Sequence, residues 1–166
     1  MSNRTVLYII AVSICAVLAN GALFLLAPHV QTVEIRAVIW MAAIGLFVHV
    51  LTFRLPRGGS GSIAFIPFLA ASIISPTWFA AVAASAVIFF AQLSKRSSPV
   101  KALFNFMQAW LAGGIATIVF RLVSSNSLIS APTIGLLDGA RANAIAVLVL
   151  IGTFFAVNTA LVAGVI

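Results

Sequence analysis

Two amide side chains within an apolar stretch are the residues of this chain best placed for chemistry. Asn105 and Gln108 lie three residues apart, so they share one face of a helix. A third amide, Asn158, lies in a later apolar stretch. Amides inside a membrane either contact a ligand or bond a neighbouring helix. We favour helix packing, because such bonds are common and contribute around 0.6 kcal/mol each.

Small residues extend the face that carries Asn105 and Gln108. Ala109, Ala112 and Ala116 continue that face, and the later stretch offers a matching stripe of Gly152, Ala156, Thr159 and Ala163 beside Asn158. Helices in lipid associate through the close approach of small residues and through interhelical hydrogen bonds. The pattern therefore predicts that both stripes face protein.

The other candidate side chains are a histidine and two hydroxyls. His49 carries an imidazole, the side chain that suits pH sensing, but we favour a neutral histidine bonded to a neighbouring helix. Ser75 and Thr77 flank Pro76 between two apolar segments. Polar interruptions of this kind often line a cavity or a binding site in membrane bundles.

Few residues are available for metal binding or catalysis. The chain has one cysteine, two histidines and two acids, and no set of residues pairs a nucleophile with a base. The glycine-rich loop at residues 57–62 lacks the lysine of a phosphate-binding loop. We therefore expect no enzyme activity, no metal and no cofactor in this chain.

The composition indicates a membrane protein. Hydrophobic residues make up 63% of the chain and charged residues 7%, whereas an ordinary soluble domain has roughly 25% charged residues. So few charges cannot cover a water-facing surface, and the expected partner is the lipid bilayer. The net charge of +7 does not indicate nucleic-acid binding, because the basic residues stand mostly at the ends of apolar runs.

Six apolar segments predict an all-α integral membrane protein, a bundle of about six transmembrane helices in one domain, residues 1–166. We place the segments at residues 5–27, 35–53, 62–75, 76–93, 100–123 and 142–166. A span needs about 20 residues, so segment 62–75 is either a short span or part of a re-entrant hairpin. Both alternatives leave the flanking loops on the same side of the membrane.

Basic residues predict the orientation of this bundle. With the N-terminus inside the cell, both acids lie outside and six of the nine basic residues face the cytoplasm: Arg4, Arg54, Arg57, Lys95, Arg96 and Lys101. We expect a bacterial inner membrane with both termini cytoplasmic. The last segment ends on apolar residues, so we also expect the natural protein to continue past Ile166.

The run from Gly58 to Phe120 carries a family resemblance. Its main phrase is RSSPVKALFNFMQAWL at residues 96–111, in which a basic loop with a proline leads to a lysine, then Phe-Asn, then a glutamine. This phrase resembles the N-terminal membrane domain found ahead of GGDEF and HD-GYP cyclic-di-GMP signalling domains in bacteria. The phrase VNTAL at residues 157–161 resembles the one that closes the last spans of that domain.

The resemblance implies a sensory or anchoring input domain with a cytoplasmic effector domain in cis. A homodimer is a further expected partner state. The chain has no GGDEF or HD-GYP residues, so no cyclase or phosphodiesterase activity is implied for it. Two alternatives stay open. One is the substrate-binding subunit of a vitamin-type transporter, which shares six spans and a short third segment, and the other is a non-catalytic structural membrane protein.

Overall fold

Six helices and one pair of very short strands make up the described structure. The computed structural model describes residues 3–27, 29–50, 53–54, 60–61, 65–95, 98–124 and 136–164, and gives the backbone alone for residues 49–50, 53–54, 60–61 and 136–142. The helices are α1 (Asn3–Leu26), α2 (Thr32–Val50), α3 (Phe65–Ile74), α4 (Trp78–Ser94), α5 (Pro99–Val123) and α6 (Leu136–Ala163). The predicted helical fold is confirmed, and each helix overlaps one predicted segment.

The outer surface of these helices is apolar. Three of the described helices are long and apolar enough to cross a membrane, namely α1, α5 and residues 143–163 of α6. Large aliphatic side chains point outward, and Leu25 and Leu122 are 80% and 78% exposed. Soluble proteins rarely expose apolar surface this extensively. The chain is therefore a membrane protein, as its composition predicts.

Helix α5 is the central helix. It packs against α1, α4 and α6. Its start is fixed by Ser98, whose side chain accepts a hydrogen bond from the Lys101 backbone N–H, and by Pro99 in the first turn. Its buried residues are mostly small, and they are Ala102, Gln108, Leu111, Ala112, Gly114, Ala116, Thr117 and Phe120. Small side chains let three neighbouring helices approach its backbone closely.

Helices α2, α3 and α4 form the other part of the bundle. Helix α2 packs against α3 and α4, and Val38, Ala71 and Ala80 supply one buried residue from each helix to their shared core. The ring of Phe68 on α3 lies directly over Gly45 on α2, where it would collide with a β-carbon. A glycine at this position is therefore what allows α3 to pack on α2.

The boundaries of α2 differ from the predicted segment 35–53. Helix α2 begins at Thr32, so Glu34 lies in its first turn, where its carboxylate accepts a hydrogen bond from the Gln31 backbone N–H at 3.2 Å. An acid is favourable there because the helix dipole is positive at its N-terminus. Helix α2 ends at Val50, and Phe53 belongs instead to β1 (Phe53–Arg54), which pairs antiparallel with β2 (Ser60–Gly61). The strand pair was not predicted.

Two further helix starts differ from the prediction. Helix α4 begins at Trp78 rather than Pro76, because the Thr77 backbone is extended and its N–H donates to the Ser75 carbonyl. Helix α6 begins at Leu136, six residues before the predicted segment 142–166. The connection between α3 and α4 is therefore residues 75–77, preceded by a helix of 10 residues and followed by one of 17.

Candidate functional site

The structure brings two of the predicted amides together between α5 and α6. Gln108 Nε2 donates a hydrogen bond to Asn158 Oδ1 at 2.9 Å and lies 3.4 Å from the Asn158 carbonyl oxygen. Gln108 is buried and Asn158 is half-buried. The bond joins the two sequence phrases that carry the family resemblance. Its geometry is that of an interhelical bond, the packing role that we favoured.

The third amide stands apart from this pair. Asn105 is half-buried one turn before Gln108, and the structure does not bond it to Asn158. Further along the same face, Ala112 and Ala116 are buried. The predicted stripe on α5 therefore faces protein from Gln108 onward.

The prediction that the stripe on α6 faces protein is wrong. Gly152, Ala156, Thr159 and Ala163 are all exposed, and a β-carbon at Gly152 would meet nothing within 4 Å. Helix α6 instead turns Ala146 and Leu150 toward Ala116 and Phe120 of α5. Larger side chains of α6 fill the space left by the small residues of α5, so two stripes of small residues do not meet.

A buried asparagine that the sequence reasoning passed over joins α1 to α5. Asn20 is 3% exposed, and its Nδ2 donates to the carbonyl oxygens of Ala16 and Trp110, both at 3.0 Å. A β-carbon at Gly114 would come within 2.6 Å of this amide. Its Oδ1 is buried without a hydrogen-bond partner. A lone asparagine in the middle of a 24-residue apolar helix is the signal that pointed to it.

The connection between α3 and α4, where Ser75 and Thr77 flank Pro76, is buried and is bonded to an arginine. The hydroxyls of Ser75 and Thr77 are buried and lie 3.0 Å apart, within hydrogen-bond distance. Arg121, near the end of α5, donates from Nη1 to the Pro76 carbonyl at 3.0 Å and from Nη2 to the Leu26 carbonyl at 3.4 Å. The Arg121 guanidinium ties together the ends of α1 and α5 and the connection between α3 and α4.

The connection between α3 and α4 lies far from the Gln108–Asn158 pair. Gln108 and Arg121 lie 13 residues apart on α5, which is about 20 Å along a helix. Because Arg121 contacts Pro76, Ser75 and Thr77 lie at the far end of α5 from Gln108. These side chains do not form one ligand site.

The cavity between α3 and α5 is small. It has a volume of about 20 Å³ and is lined by Ser72 of α3, Ser85 of α4 and Gly113 of α5 among mostly apolar residues. Both hydroxyls already donate to carbonyls of their own helices. Small-molecule sites typically measure about 300–1,000 Å³, so this cavity has room for about one water molecule.

The last of the predicted residues is His49. His49 lies in α2, but its side chain is outside the described residues. Cys15 is a free, exposed residue on α1. Within the described part of the chain, no three His, Cys, Asp or Glu side chains lie close enough to hold a metal ion.

Comparison with models of known protein families, with curated proteins and with solved structures gave no match to this chain.

Proposed function

We propose that this chain is the membrane-embedded input and anchoring domain of a bacterial signalling protein, and that α6 passes the signal to a cytoplasmic domain. The observation that carries the proposal is how α6 is held. Helix α6 packs mainly on α5, and the Gln108–Asn158 hydrogen bond joins these two helices. Its last turns are bonded to α1, because the Tyr8 hydroxyl donates a hydrogen bond to the Leu161 carbonyl at 2.6 Å. The opposite face of α6 is exposed.

A helix held in this way suits transmission. Small shifts of one helix against its neighbour, of about 1–2 Å, are a common form of switching, and they need two packings of similar free energy. A few directional bonds on one face of α6 allow such alternatives more easily than burial on all sides. The input domain then acts as a homodimer if the cytoplasmic domain that it drives is dimeric.

We also propose that the bundle has six spans, with the starts of α1 and α5 on the cytoplasmic side. Arg121 places the connection between α3 and α4 level with the ends of α1 and α5. Helix α4 begins at this level and its 17 residues cover about 26 Å, while the 10 residues of α3 cover only about 15 Å. The positive-inside rule supplies the orientation, and the resemblance to bacterial signalling domains supports a bacterial inner membrane.

Fusion of a reporter domain tests the signalling role. A GGDEF domain whose activity requires dimer geometry is joined after the complete chain, and cyclic-di-GMP is measured in cells. We expect Gln108→Leu and Asn158→Leu to change the output, because both remove the bond that sets the position of α6 on α5. The amount of fusion protein in the membrane fraction is measured alongside.

Leu148→Ala is the matched control, since Leu148 lies on α6 but is 68% exposed. We expect it to leave the output unchanged. Equal output from the wild type and both amide variants, at equal membrane levels, would mean that the chain is a passive anchor.

The transporter alternative gains no support from the cavity between α3 and α5, which is too small for a vitamin-sized ligand. The structural alternative shares the same packing bonds and is separated from signalling by the reporter assay.

A further inference from the structure

A groove opens between the first turns of α1 and α5. It has a volume of about 230 Å³. Thr5, Ser98 and Lys101 line it at the level where the two helices begin, and Tyr8, Ile9 and Phe104 line it about one turn further along. The rings of Tyr8 and Phe104 lie in contact, with centroids 6.1 Å apart. The groove is therefore mostly apolar, and its three polar or charged residues other than Tyr8 lie at the end of the bundle.

The polar part of the groove is suited to an anion. Lys101 supplies a cationic ammonium, Ser98 supplies a hydroxyl, and the first turn of α5 adds the positive end of a 25-residue helix. Lys101 is exposed rather than folded into the core.

Neither acidic residue of the chain lies near this groove to neutralise Lys101. Its only acids are Glu34 and Asp138. Asp138 precedes Leu161 on α6 by 23 residues, or about 35 Å, and Leu161 is the residue bonded to Tyr8 in the groove. Glu34 lies in the first turn of α2, after the opposite end of α1. Neither acidic residue therefore neutralises Lys101.

We propose that this groove binds an anionic phospholipid, with the headgroup phosphate beside Lys101 and Ser98 and the start of an acyl chain against Tyr8, Ile9 and Phe104. Basic pockets between transmembrane helices are known to hold anionic headgroups. Lipid has direct access, because Leu7 and Leu103 beside the groove are 66% and 43% exposed. A soluble phosphate would not contact the apolar wall of the groove. A lipid without a net charge would gain no electrostatic attraction from Lys101.

Native mass spectrometry of the purified full chain tests this site. The probes are dioleoyl phosphatidylglycerol, dioleoyl phosphatidylcholine and glycerol phosphate, the last of which is a headgroup without acyl chains. We expect the wild type to bind phosphatidylglycerol about fivefold more tightly than phosphatidylcholine, the preference that one well-placed lysine provides. Glycerol phosphate should bind much more weakly than either lipid.

Three variants locate the binding. Lys101→Gln should remove the preference for phosphatidylglycerol, whereas Arg36→Gln, which changes an exposed arginine on α2, should keep it. Val100→Trp should weaken the binding of both lipids, because Val100 lines the groove and is 47% exposed, so a larger side chain there would fill part of the groove. Equal affinity of the wild type for both lipids would overturn the proposal, as would unchanged binding by Lys101→Gln or glycerol phosphate binding as tightly as phosphatidylglycerol. None of these measurements depends on the signalling role.

Discussion

Helices α5 and α6 have similar lengths and each carries a stripe of small residues. Helix α5, however, is packed between other helices, whereas α6 packs mainly on α5 and is largely exposed. In an 18-residue apolar stretch of α5, 39% of the residues are buried, whereas in the corresponding stretch of α6 only 11% are buried. The buried residues of α5 include Gln108, Gly114 and Thr117. The stripe of Gly152, Ala156, Thr159 and Ala163 on α6 faces outward. The contacts of α6 with α5 use Ala146, Leu150 and Asn158 instead.

The difference shows that small residues do not by themselves identify a contact face in a membrane helix. On α5 they are buried because three helices need its backbone at close range, and polar bonds fix each approach. On α6 a glycine or alanine facing outward lies in open space, as at Gly152. The same residue type therefore has different energetic value on the two helices.

Alanine at one glycine of each helix tests this difference most strongly. A β-carbon at Gly114 would displace Asn20, at an overpacking cost of about 1–3 kcal/mol, whereas at Gly152 it meets nothing. Alanine also favours a helix over glycine by up to about 1 kcal/mol. We expect Gly114→Ala to lower the free energy of unfolding and Gly152→Ala to leave it unchanged or raise it, as measured by denaturation in bicelles.

A second substitution sharpens this result. Asn20→Ala removes the side chain that a β-carbon at Gly114 would meet. The Asn20→Ala/Gly114→Ala variant should therefore be more stable than the sum of the single effects predicts. Equal effects of Gly114→Ala and Gly152→Ala would contradict the proposed close approach of α1 to α5.

Loss of the Arg121 side chain should have the next largest effect. Arg121→Met keeps much of the apolar stem but removes the donors to the Pro76 and Leu26 carbonyls. Hydrogen bonds from charged groups contribute about 1.5–3 kcal/mol, and partial exposure here favours the lower end, about 1.5 kcal/mol. Arg36→Met, at an exposed position of α2, is the control. A similar loss of unfolding free energy in both variants would argue against the hydrogen bonds by which Arg121 joins the helix ends.

The amide pair should show a smaller, specific coupling. Gln108→Leu, Asn158→Leu and the double variant form a cycle whose interaction free energy we expect to be about 1 kcal/mol, within the range of bonds between membrane helices. The same cycle with Asn105→Leu in place of Gln108→Leu should give no coupling. Coupling of Asn158 to Asn105 instead would place α6 in a different register.

Removal of the Tyr8 hydroxyl should have the smallest effect. Tyr8→Phe keeps the ring against Phe104 and loses only the bond to the Leu161 carbonyl. We expect a loss of about 0.5 kcal/mol in unfolding free energy. Phe104→Leu, which keeps that bond and removes the ring contact, separates the two contributions. A loss above about 2 kcal/mol for Tyr8→Phe would mean that the hydroxyl has further partners.

The positions of the helices could be predicted because long apolar runs are required of any segment that crosses lipid. The starts of α2 and α6 could not, because we began those two segments after the charged residues that precede the apolar runs. Glu34 and Asp138 instead lie inside the first turns of α2 and α6, where an acid is favourable.

The candidate site was predictable in composition but not in arrangement. Gln108 and Asn158 were identified from amides in apolar runs, yet no spacing shows which amide of one helix meets which of another. The rotation of α6 depends on how Ala146 and Leu150 fill the surface of α5, which is a property of the packed pair. Asn20 was passed over for the same reason, since its importance follows from Gly114 on a distant part of the chain.

The rotation of α6 is tested most directly by oxygen accessibility of nitroxide labels in nanodiscs that hold one chain each. Labels are placed singly along residues 145–159 in a Cys15→Ser background, since Cys15 is exposed. We predict low accessibility at Ala146 and Leu150 and high accessibility at Leu148, Gly152 and Ala156. Minima at Gly152, Ala156 and Thr159 would show that the small residues of α6 face α5 and would contradict the structure described above.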